Sequence, residues 1–412
     1  MARVVGMDVH RDFAQVVALE GERLRHLGRV RLDKDSLISF ASSLSPDDEV
    51  VLEATGNTFA IVRVLRTKVR RVAVANPLQV RMIAHAKIKT DKIDAAALAQ
   101  LHASGFLPEI WVPDSETEAL RRQMTRRSQL VRHRTRLKNE VHAILNANLI
   151  GRCVVTDLFT GTGRKWLTEQ ALPTADREAI DRGFREIERV TNDLEALDRG
   201  LAAQAVDDPR LRRLMTITGI DMVSGLGLLA TIGDHSRFAS SEKLVSYLGL
   251  NPSVRQSGNG PARHGRITKR GANQARAVLV EAAWAASRVP GPLRSFFMRV
   301  MSRRGSQVAA VATARKLATI VWHVLNRQED YVFARPSLVA RKRRSAELRA
   351  GRPRQRGRRG IAAGYHCAET RAEERERLEK AEHAYERVVS GWRQSGVRSK
   401  AAGLGIEGPV SD

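Results

Sequence analysis

Two aspartates, Asp91 and Asp94, lie three residues apart in the stretch Lys89-Thr90-Asp91-Lys92-Ile93-Asp94-Ala95. Residues 93–101 have the apolar spacing of an amphipathic helix, and side chains three positions apart share one face of a helix. Two carboxylates on one face repel each other, and nearby lysines or a divalent metal relieve that repulsion. The alternative is a capped helix start, with Asp91 as the N-cap and Asp94 stabilised by the helix dipole. This stretch alone leaves both interpretations open.

Two further acids lie in apolar segments near the start of the chain. Asp8 falls inside the apolar segment 4–10, and Glu53 ends the apolar segment 49–53 just before Gly56. A charged group in a buried strand is costly unless it is paired or binds a metal. The simpler interpretations are a sheet-edge position for Asp8 and a helix cap for Glu53.

The segments that carry these acids alternate in a recognisable order. Strands are expected at residues 4–10, 12–19, 24–32, 49–53 and 69–75, with helices at 35–44 and 59–68. This order predicts a mixed α/β sheet. Acids on the first strand, the fourth strand and a later helix give the layout of a ribonuclease H-like site. Such a site holds two Mg²⁺ ions about 4 Å apart and steers an in-line attack on a phosphate.

The charge of the whole chain indicates a polyanionic partner. The 412 residues carry a formal net charge of +25, and the sequence pI is about 11.1. Nucleic acid is favoured over a membrane surface as the partner. Two cysteines make neither a disulfide framework nor a zinc site, which fits a reducing compartment. We find no signal peptide and expect no membrane-spanning run, so the sequence predicts a cytoplasmic protein.

A long basic helix is predicted at residues 116–149, which lack glycine and proline. Its polar face is almost entirely basic, whereas a solvated helix normally mixes charges of both signs. The arginines expected to contact nucleic acid are Arg121, Arg122, Arg126 and Arg127. A second helix at residues 175–205 alternates acids and bases like a coiled-coil surface, so the two helices are expected to pair antiparallel as a stalk.

Two later segments have features of phosphate-facing loops. Residues 211–234 suggest two helices joined at Gly219, whose turn presents backbone N–H groups to a phosphate or is a plain helical turn. Residues 253–271 are rich in glycine and basic side chains, and Ser257 precedes Gly258. The positive charges that could stabilise a phosphorane-like transition state are those of Arg255, Arg263, Arg266 and Lys269. The alternative for Ser257-Gly258 is a simple β-turn.

Five motifs occur in a fixed order and together resemble one family. They are Gly6-Met7-Asp8-Val9-His10, Leu52-Glu53-Ala54-Thr55-Gly56, Lys89 to Ala95, Gly249-Leu250-Asn251-Pro252 with Ser257-Gly258, and Ile267-Thr268-Lys269-Arg270-Gly271-Ala272-Asn273. The chain resembles insertion-sequence transposases that join a RuvC-like DEDD domain to a C-terminal serine-bearing transposase domain. The resemblance covers residues 3 to 330.

The resemblance implies specific roles and partners. Asp8, Glu53, Asp91 and Asp94 would form a Mg²⁺-binding tetrad, and Ser257 would be the nucleophile that attacks the DNA phosphodiester. The family is understood to be guided by a bridge RNA that pairs with double-stranded donor and target DNA. Its assemblies place the serine of one subunit near the acids of another, which implies a homo-oligomer, a dimer or tetramer. A bacterial protein associated with the nucleoid when active follows from this.

The predicted domain boundaries follow the motifs. We expect a RuvC-like catalytic domain at residues 1–112, a coiled-coil stalk at 113–206 and a mainly helical transposase domain at 207–330. Residues 331–412 are expected to form a basic, partly disordered tail, with an arginine-rich run at 341–359 that binds nucleic acid and a charged helix at 369–389.

Two other functions compete with transposition. One is a RuvC-type DNA junction nuclease that uses metal-activated water alone, with Ser257 in a structural role. The other is a nucleic-acid-binding protein without enzymatic activity. A protein that only binds nucleic acid would not need the set of four acids described above.

Overall fold

The computed structural model describes residues 3–83, 90–155, 157–256, 260, 262–353 and 367–403. The chain forms two compact units, Met1–Asp114 and Ser115–Asp412. The first unit contains a five-stranded sheet, and the second is mainly helical with one small two-stranded sheet.

The first unit consists of five strands and four helices in its described residues. The strands are β1 (Val4–Val9), β2 (Phe13–Glu20), β3 (Arg23–Arg31), β4 (Glu49–Glu53) and β5 (Arg71–Ala75). The helices are α1 (Lys34–Ser42), α2 (Thr58–Leu65), α3 (Pro77–Ile83) and α4 (Asp91–Ala103).

The sheet of the first unit has the strand order β3-β2-β1-β4-β5. β1 is antiparallel to β2 and parallel to β4, and β5 is parallel to β4. The antiparallel part is a meander of consecutive strands, whereas the parallel part is joined through helices, as parallel strands require. The predicted mixed α/β sheet is confirmed, and this order is compatible with a ribonuclease H-like domain.

The two faces of this sheet are covered by different helices. Side chains alternate between the faces of a strand, so Val5 and Met7 of β1 pack with α1 and α2. Val4 of β1 and Val51 of β4 lie on the other face and pack with Leu98 of α4. Helix α4 therefore lies on the face that Gly6, Asp8 and Glu53 share by the same alternation.

The second unit contains the remaining helices and the small sheet. The helices are α5 (Ser115–Ala147), α6 (Gly161–Thr168), α7 (Thr174–Ala205), α8 (Pro209–Leu214), α9 (Met222–Ile232), α10 (Ser241–Tyr247), α11 (Asn273–Ala286), α12 (Pro292–Arg304), α13 (Ser306–Arg327), α14 (Pro336–Arg349) and α15 (Ala368–Gly403). The strands are β6 (Pro252–Arg255) and β7 (Arg263–Ile267).

Helices α5 and α7 lie antiparallel. Arg127 of α5 donates two hydrogen bonds to Asp198 of α7, at 2.7 and 3.1 Å. Near the other end of the pair, Val141 of α5 lies against Gly183 of α7. Buried apolar residues such as Leu137 and Ile180 form their shared core. The two long helices occur as predicted, while a stalk-like role for them stays a prediction.

The core of the second unit contains one long apolar helix. Helix α13 has 22 residues and includes an 18-residue window with a mean hydropathy of 1.3, enough by length and composition alone to cross a membrane. The sequence predicts no membrane-spanning run, and this helix qualifies as one by those two measures only. Leu317 and Val321 of α13 are almost fully buried and pack with α9, α10 and α11 in the main core cluster. Packing inside the protein accounts for its apolar composition.

The segment after α13 is more helical than the sequence suggested. Two nearly buried carboxylates on α15 are paired with the rest of the unit. Glu374 accepts hydrogen bonds from the backbone N–H and hydroxyl of Ser337, both at 2.8 Å. Glu382 accepts from Arg294 at 2.7 Å and from the backbone N–H of Gly291 at 3.1 Å. The predicted arginine-rich run overlaps α14, and its residues 354–359 lie outside the described residues.

Lys342 of α14 connects this segment to the turn between α8 and α9. Its ammonium donates hydrogen bonds to the carbonyl oxygens of Met215, Ile217 and Ile220 at 2.8, 3.0 and 2.9 Å. Burial lowers the pKa of Lys342 to about 8, and the charge of Asp221 opposes this fall. The ammonium therefore provides a donor to carbonyl groups of the turn between α8 and α9.

We expect the Lys342→Ala variant to be less stable than the wild type by about 2 kcal/mol or more, because buried carbonyls that lose a donor pay their desolvation cost. Denaturant unfolding measures the difference. The matched control is Arg349→Ala, since Arg349 is an exposed base on the same helix. Equal free energies of unfolding for the two variants would show that the Lys342 contacts contribute nothing to stability.

Candidate active site

Asp8 and Glu53 lie on neighbouring parallel strands at the same end of the sheet. Met7 of β1 is in register with Leu52 of β4, so Asp8 and Glu53 each follow a paired residue. Side-chain alternation puts both on the face that α4 covers. In parallel α/β sheets this carboxyl edge is where functional groups gather.

Helix α4 brings the other two acids to the same edge. The sequence left open whether Asp91 is a helix cap, and the structure corrects that alternative. Thr90 is the N-cap of α4, and its hydroxyl accepts a hydrogen bond from the N–H of Ile93 at 3.4 Å. Asp91 and Asp94 therefore both lie in the first turn. Thr90, and neither of the two aspartates, therefore caps this end of the helix.

Gly6 allows α4 to pack directly on β1. A Cβ at this position would lie 2.0 Å from the carbonyl oxygen of Ala95 and 3.2 Å from the Cβ of Ala99. Because Gly6 precedes Asp8 by two residues, both face α4. Ala95 follows Asp94 directly, so this close approach fixes the first turn of α4 beside the end of β1.

We expect Gly6→Ala to destabilise the first unit by about 1–3 kcal/mol, the usual cost of overpacking a tight contact. The same variant should weaken stabilisation of the fold by divalent metal, because α4 must move away from Asp8. Thermal unfolding with and without Mg²⁺ measures both effects. Gly56→Ala is the control, since a Cβ there meets no atom within 4 Å. A Gly6→Ala variant as stable as this control would disprove the proposed packing constraint.

Three potential metal ligands come together at this edge. In the described part of the chain, ligand atoms of Asp8, His10 and Asp91 all lie within 4.8 Å of one another. The Nε2 atom of His10 lies 3.2 Å from Oδ2 of Asp8 and 3.4 Å from Oδ2 of Asp91. Asp94 is close enough for its charge to act on Asp8. Glu53 lies on the same face of the sheet, at the end of β4.

The surroundings of Asp8 disfavour its ionised form, which a nearby cation would stabilise. Burial raises the pKa of Asp8, and the charges of Asp94 and Asp91 raise it further, whereas His10 opposes the rise. The side chain of Asp8 is 17% exposed, compared with 40% for Asp91. A divalent cation among these oxygens would stabilise the ionised form. The donor set therefore fits a divalent metal.

Sequence reasoning missed His10 as a member of this cluster. His10 lies in the first motif, but the motif alone predicts no role for it. The signal was present, since residues two apart in a strand face the same side and His10 follows Asp8 by two.

The predicted nucleophile lies outside the described residues. Ser257 and Gly258 belong to the connection between β6 and β7, which pair antiparallel. The base of this hairpin is fixed by glycines, because a Cβ on Gly249 would lie 2.3 Å from the carbonyl oxygen of Arg270. Gly271 is just as constrained, with a positive φ of 115° and a Cβ position 2.1 Å from the carbonyl oxygen of Tyr247.

The basic residues predicted around the serine are exposed on this hairpin and just after it. They are Arg255, Arg263, Arg266 and Lys269. Lys269 has a positive φ of 55°, which is uncommon for a side chain that is not glycine. This arrangement leaves all four cations open to solvent and to a polyanion.

The arginines predicted on α5 have different surroundings. Arg121 donates to the carbonyl oxygens of Ala230 and Thr231, at 2.7 and 3.0 Å, at the end of α9. Arg127 is paired with Asp198, and Arg122 is paired with Glu118 on the same helix. Arg126 is exposed. Contact of these four side chains with nucleic acid stays a prediction.

The turn that contains Gly219 is packed on α11. Gly219 has a positive φ of 85°, and a Cβ there would lie 2.7 Å from the Cα of Ala282. The start of α9 carries a capping box in which Asp221 accepts a hydrogen bond from the N–H of Ser224 at 2.8 Å. These contacts explain the glycine structurally, and phosphate binding at the turn stays a prediction.

Comparison with known proteins gives this geometry a context. Residues 211–298 match the family described as "Transposase IS116/IS110/IS902 family". Residues 5–149 match the transposase domain named for the DEDD acids of IS110 elements. The second match includes Asp8, Glu53, Asp91 and Asp94, and the first includes the serine hairpin.

Named relatives agree with these matches. A probable family 20 transposase of Pseudomonas aeruginosa is 29% identical over 338 residues, which cover 79% of this chain and 98% of the relative. The transposase for insertion sequence element IS1111A of Coxiella burnetii is 27% identical over 80% of this chain and 91% of its own length. A pilin gene-inverting protein of Moraxella bovis is 26% identical over 68% of this chain and 81% of its own length. Taken with the two domain matches, these relatives place the chain in the IS116/IS110/IS902 family of insertion-sequence transposases, and its activity is that of a DNA transposase.

Proposed function

We propose that this transposase cuts and rejoins donor and target DNA with a Mg²⁺-binding acidic tetrad and a serine nucleophile. The observation that carries the proposal is the convergence of Asp8, Asp91 and His10 at the carboxyl end of β1, with Glu53 beside them on β4. Asp94 completes the tetrad from the first turn of α4. Acids with a purely structural role gain nothing from lying close enough to repel one another.

Different residues carry out metal binding, nucleophilic attack and stabilisation of the phosphate charge in this proposal. The four acids would hold a divalent metal, which would supply positive charge to the reacting phosphate. Ser257 loses its hydroxyl proton as its oxygen bonds to phosphorus, and a deoxyribose oxygen takes up a proton as its own bond to phosphorus breaks. Reversal of this step by a deoxyribose hydroxyl of another strand releases the serine and joins the DNA. Arg255, Arg263 and Arg266 offset the charge of the phosphate during both steps.

We also propose that a structured bridge RNA guides the enzyme to donor and target. The formal charge of +25 and the exposed cations of the serine hairpin are compatible with an RNA partner as well as with DNA. We further propose a homo-oligomer, a dimer or tetramer, that works in the bacterial cytoplasm and associates with the nucleoid when active. The name of the Moraxella relative, a gene-inverting protein, is compatible with strand exchange rather than cleavage alone.

A strand-transfer assay tests this function. The full chain, expressed together with the DNA that flanks its gene, is incubated with labelled donor and target DNA. We expect joined products in Mg²⁺, no products in EDTA, and loss of products after RNase treatment. Joining that survives complete RNase digestion would refute RNA guidance. Metal-dependent cleavage without joining would favour the RuvC-type junction nuclease.

A further inference from the structure

We propose that His10 is a nitrogen ligand of the metal site and makes this site prefer Mn²⁺ to Mg²⁺ more than carboxylates alone would. The inference rests on the proposed metal-dependent function and deepens it by naming a ligand outside the four acids. The position, orientation and surroundings of the His10 imidazole support this assignment.

The backbone places the side chain of His10 at the end of β1, on the same face of the sheet as Asp8. His10 follows the last residue of β1, and the two-residue period of the strand directs its side chain to the same face as Asp8. The backbone N–H of His10 donates to the carbonyl oxygen of Phe13 at 2.9 Å. This hydrogen bond closes the turn between β1 and β2, so the position of His10 is fixed by the sheet itself.

Aromatic contacts fix the orientation of the ring. The centroids of His10 and Phe13 are 4.7 Å apart, with 31° between the ring planes. The guanidinium of Arg29, on the neighbouring strand β3, lies 4.5 Å from the centroid of the Phe13 ring. The imidazole therefore stacks on Phe13, and although 39% of its side chain is exposed, this contact restricts its orientation before any metal binds. Such preorganisation lowers the entropic cost of binding.

The nitrogen that faces the acids lacks a hydrogen-bond partner. Among the described residues, Nε2 of His10 is a buried atom without a hydrogen bond, although the carboxylates of Asp8 and Asp91 lie 3.2 and 3.4 Å away. The distances suit an ion pair between the imidazole and the two carboxylates. A buried polar atom without a hydrogen bond destabilises the folded state. A metal between the imidazole and the two carboxylates would satisfy it.

The type of ligand atom determines which metal ion binds more tightly. Mg²⁺ prefers oxygen ligands and gains little from an imidazole, whereas first-row transition metals accept nitrogen readily. Mn²⁺ also accepts carboxylates and can occupy the same site as Mg²⁺. A nitrogen ligand therefore adds affinity for Mn²⁺ selectively. A different role for His10, as a protonated counter-ion of the two acids, predicts the opposite result. Removing such a charge would tighten binding of both metals.

The test measures both metals on the full chain without nucleic acid. Isothermal titration of Mn²⁺ and of Mg²⁺ is compared for wild type, His10→Ala, His26→Ala and Asp8→Asn. His26 is the matched control because it is an exposed histidine on β3 of the same sheet. We expect His10→Ala to weaken Mn²⁺ binding at least about tenfold, since even loss of a group that only supports a ligand costs about 10–100-fold. Mg²⁺ binding should change little.

A spectroscopic measurement separates ligation from a structural effect. Electron spin echo envelope modulation of bound Mn²⁺ should show the ¹⁴N signal of an imidazole in the wild type and in His26→Ala. The signal should be absent in His10→Ala. An unchanged signal in His10→Ala, equal loss of both metals, or tighter binding of both would overturn the inference. If Asp8→Asn abolishes binding while one of these results holds, only the role of His10 fails. If the wild type binds neither metal, the metal site of the proposed function fails as well.

Discussion

Asp8→Asn should bind DNA like the wild type and form no strand-transfer product in Mg²⁺. An amide is neutral, so the variant loses one of the negative charges proposed to bind the metal. Loss of several kcal/mol of charge stabilisation corresponds to a decrease in rate of about 100-fold or more. Glu53→Gln, Asp91→Asn and Asp94→Asn should behave in the same way. Filter binding and the strand-transfer assay measure the two properties separately.

The same substitution should stabilise the metal-free fold. Burial and the neighbouring acids raise the pKa of Asp8, so its ionised form is disfavoured in the folded state. Wild type and variant should have similar stability below the unfolded pKa of about 4, and the wild type should lose stability relative to Asp8→Asn as pH rises through the folded-state pKa. Thermal unfolding in EDTA across pH measures this. Added Mg²⁺ should raise the melting temperature of the wild type only.

Asp47→Asn is the control for these measurements, since Asp47 is an exposed acid in the same unit. It should leave strand transfer and the effect of Mg²⁺ unchanged. Full strand transfer by any of the four neutral variants in Mg²⁺ would remove that residue from the set of ligands.

Ser257→Ala should bind nucleic acid normally and form no covalent protein–DNA species. A serine hydroxyl is a weak nucleophile and needs activation, which the acids and the hairpin cations are proposed to provide. Alanine removes the oxygen proposed to bond to phosphorus, so the covalent species should disappear completely. Ser257→Cys should retain slow attack. Denaturing gels of each variant with labelled DNA measure the covalent product.

Nearby serines serve as controls because the structure gives them other roles. Ser253 lies on β6 with its hydroxyl only 2.5 Å from the position of a Cβ on Gly265 of the paired strand. Ser240 is the N-cap of α10, and Ser241 donates to Glu242. Alanine at these positions should preserve the adduct. An adduct that persists in Ser257→Ala but is lost in a neighbour would identify a different nucleophile. No adduct in an active wild type would favour activated water.

The sequence predicted the elements of the first unit well because their patterns are local. Strand alternation, apolar runs and turn residues depend on neighbours a few positions away. The acids Asp8 and Glu53 were found because a charge inside an apolar strand is conspicuous. The packing of α4 on Gly6 could not be predicted in this way, because the contact joins residues almost 90 positions apart and shows only as a missing Cβ.

The basic residues show why composition alone is a weak guide to binding. Arg121 and Arg127 belong to the basic face predicted to follow nucleic acid, yet both pair with groups of the protein distant in sequence. Lys342 lies in an arginine-rich run and has its ammonium against three carbonyls. Such partners are set by tertiary packing, which a charge pattern does not encode.

Diffraction from crystals of the full chain grown with Mn²⁺, recorded at the manganese absorption edge, tests the acidic site most directly. We predict an anomalous peak bordered by Asp8 and Asp91, within reach of His10. Crystals without a peak at the end of β1, grown from protein that joins DNA in the same concentration of Mn²⁺, would contradict a metal site formed by these acids.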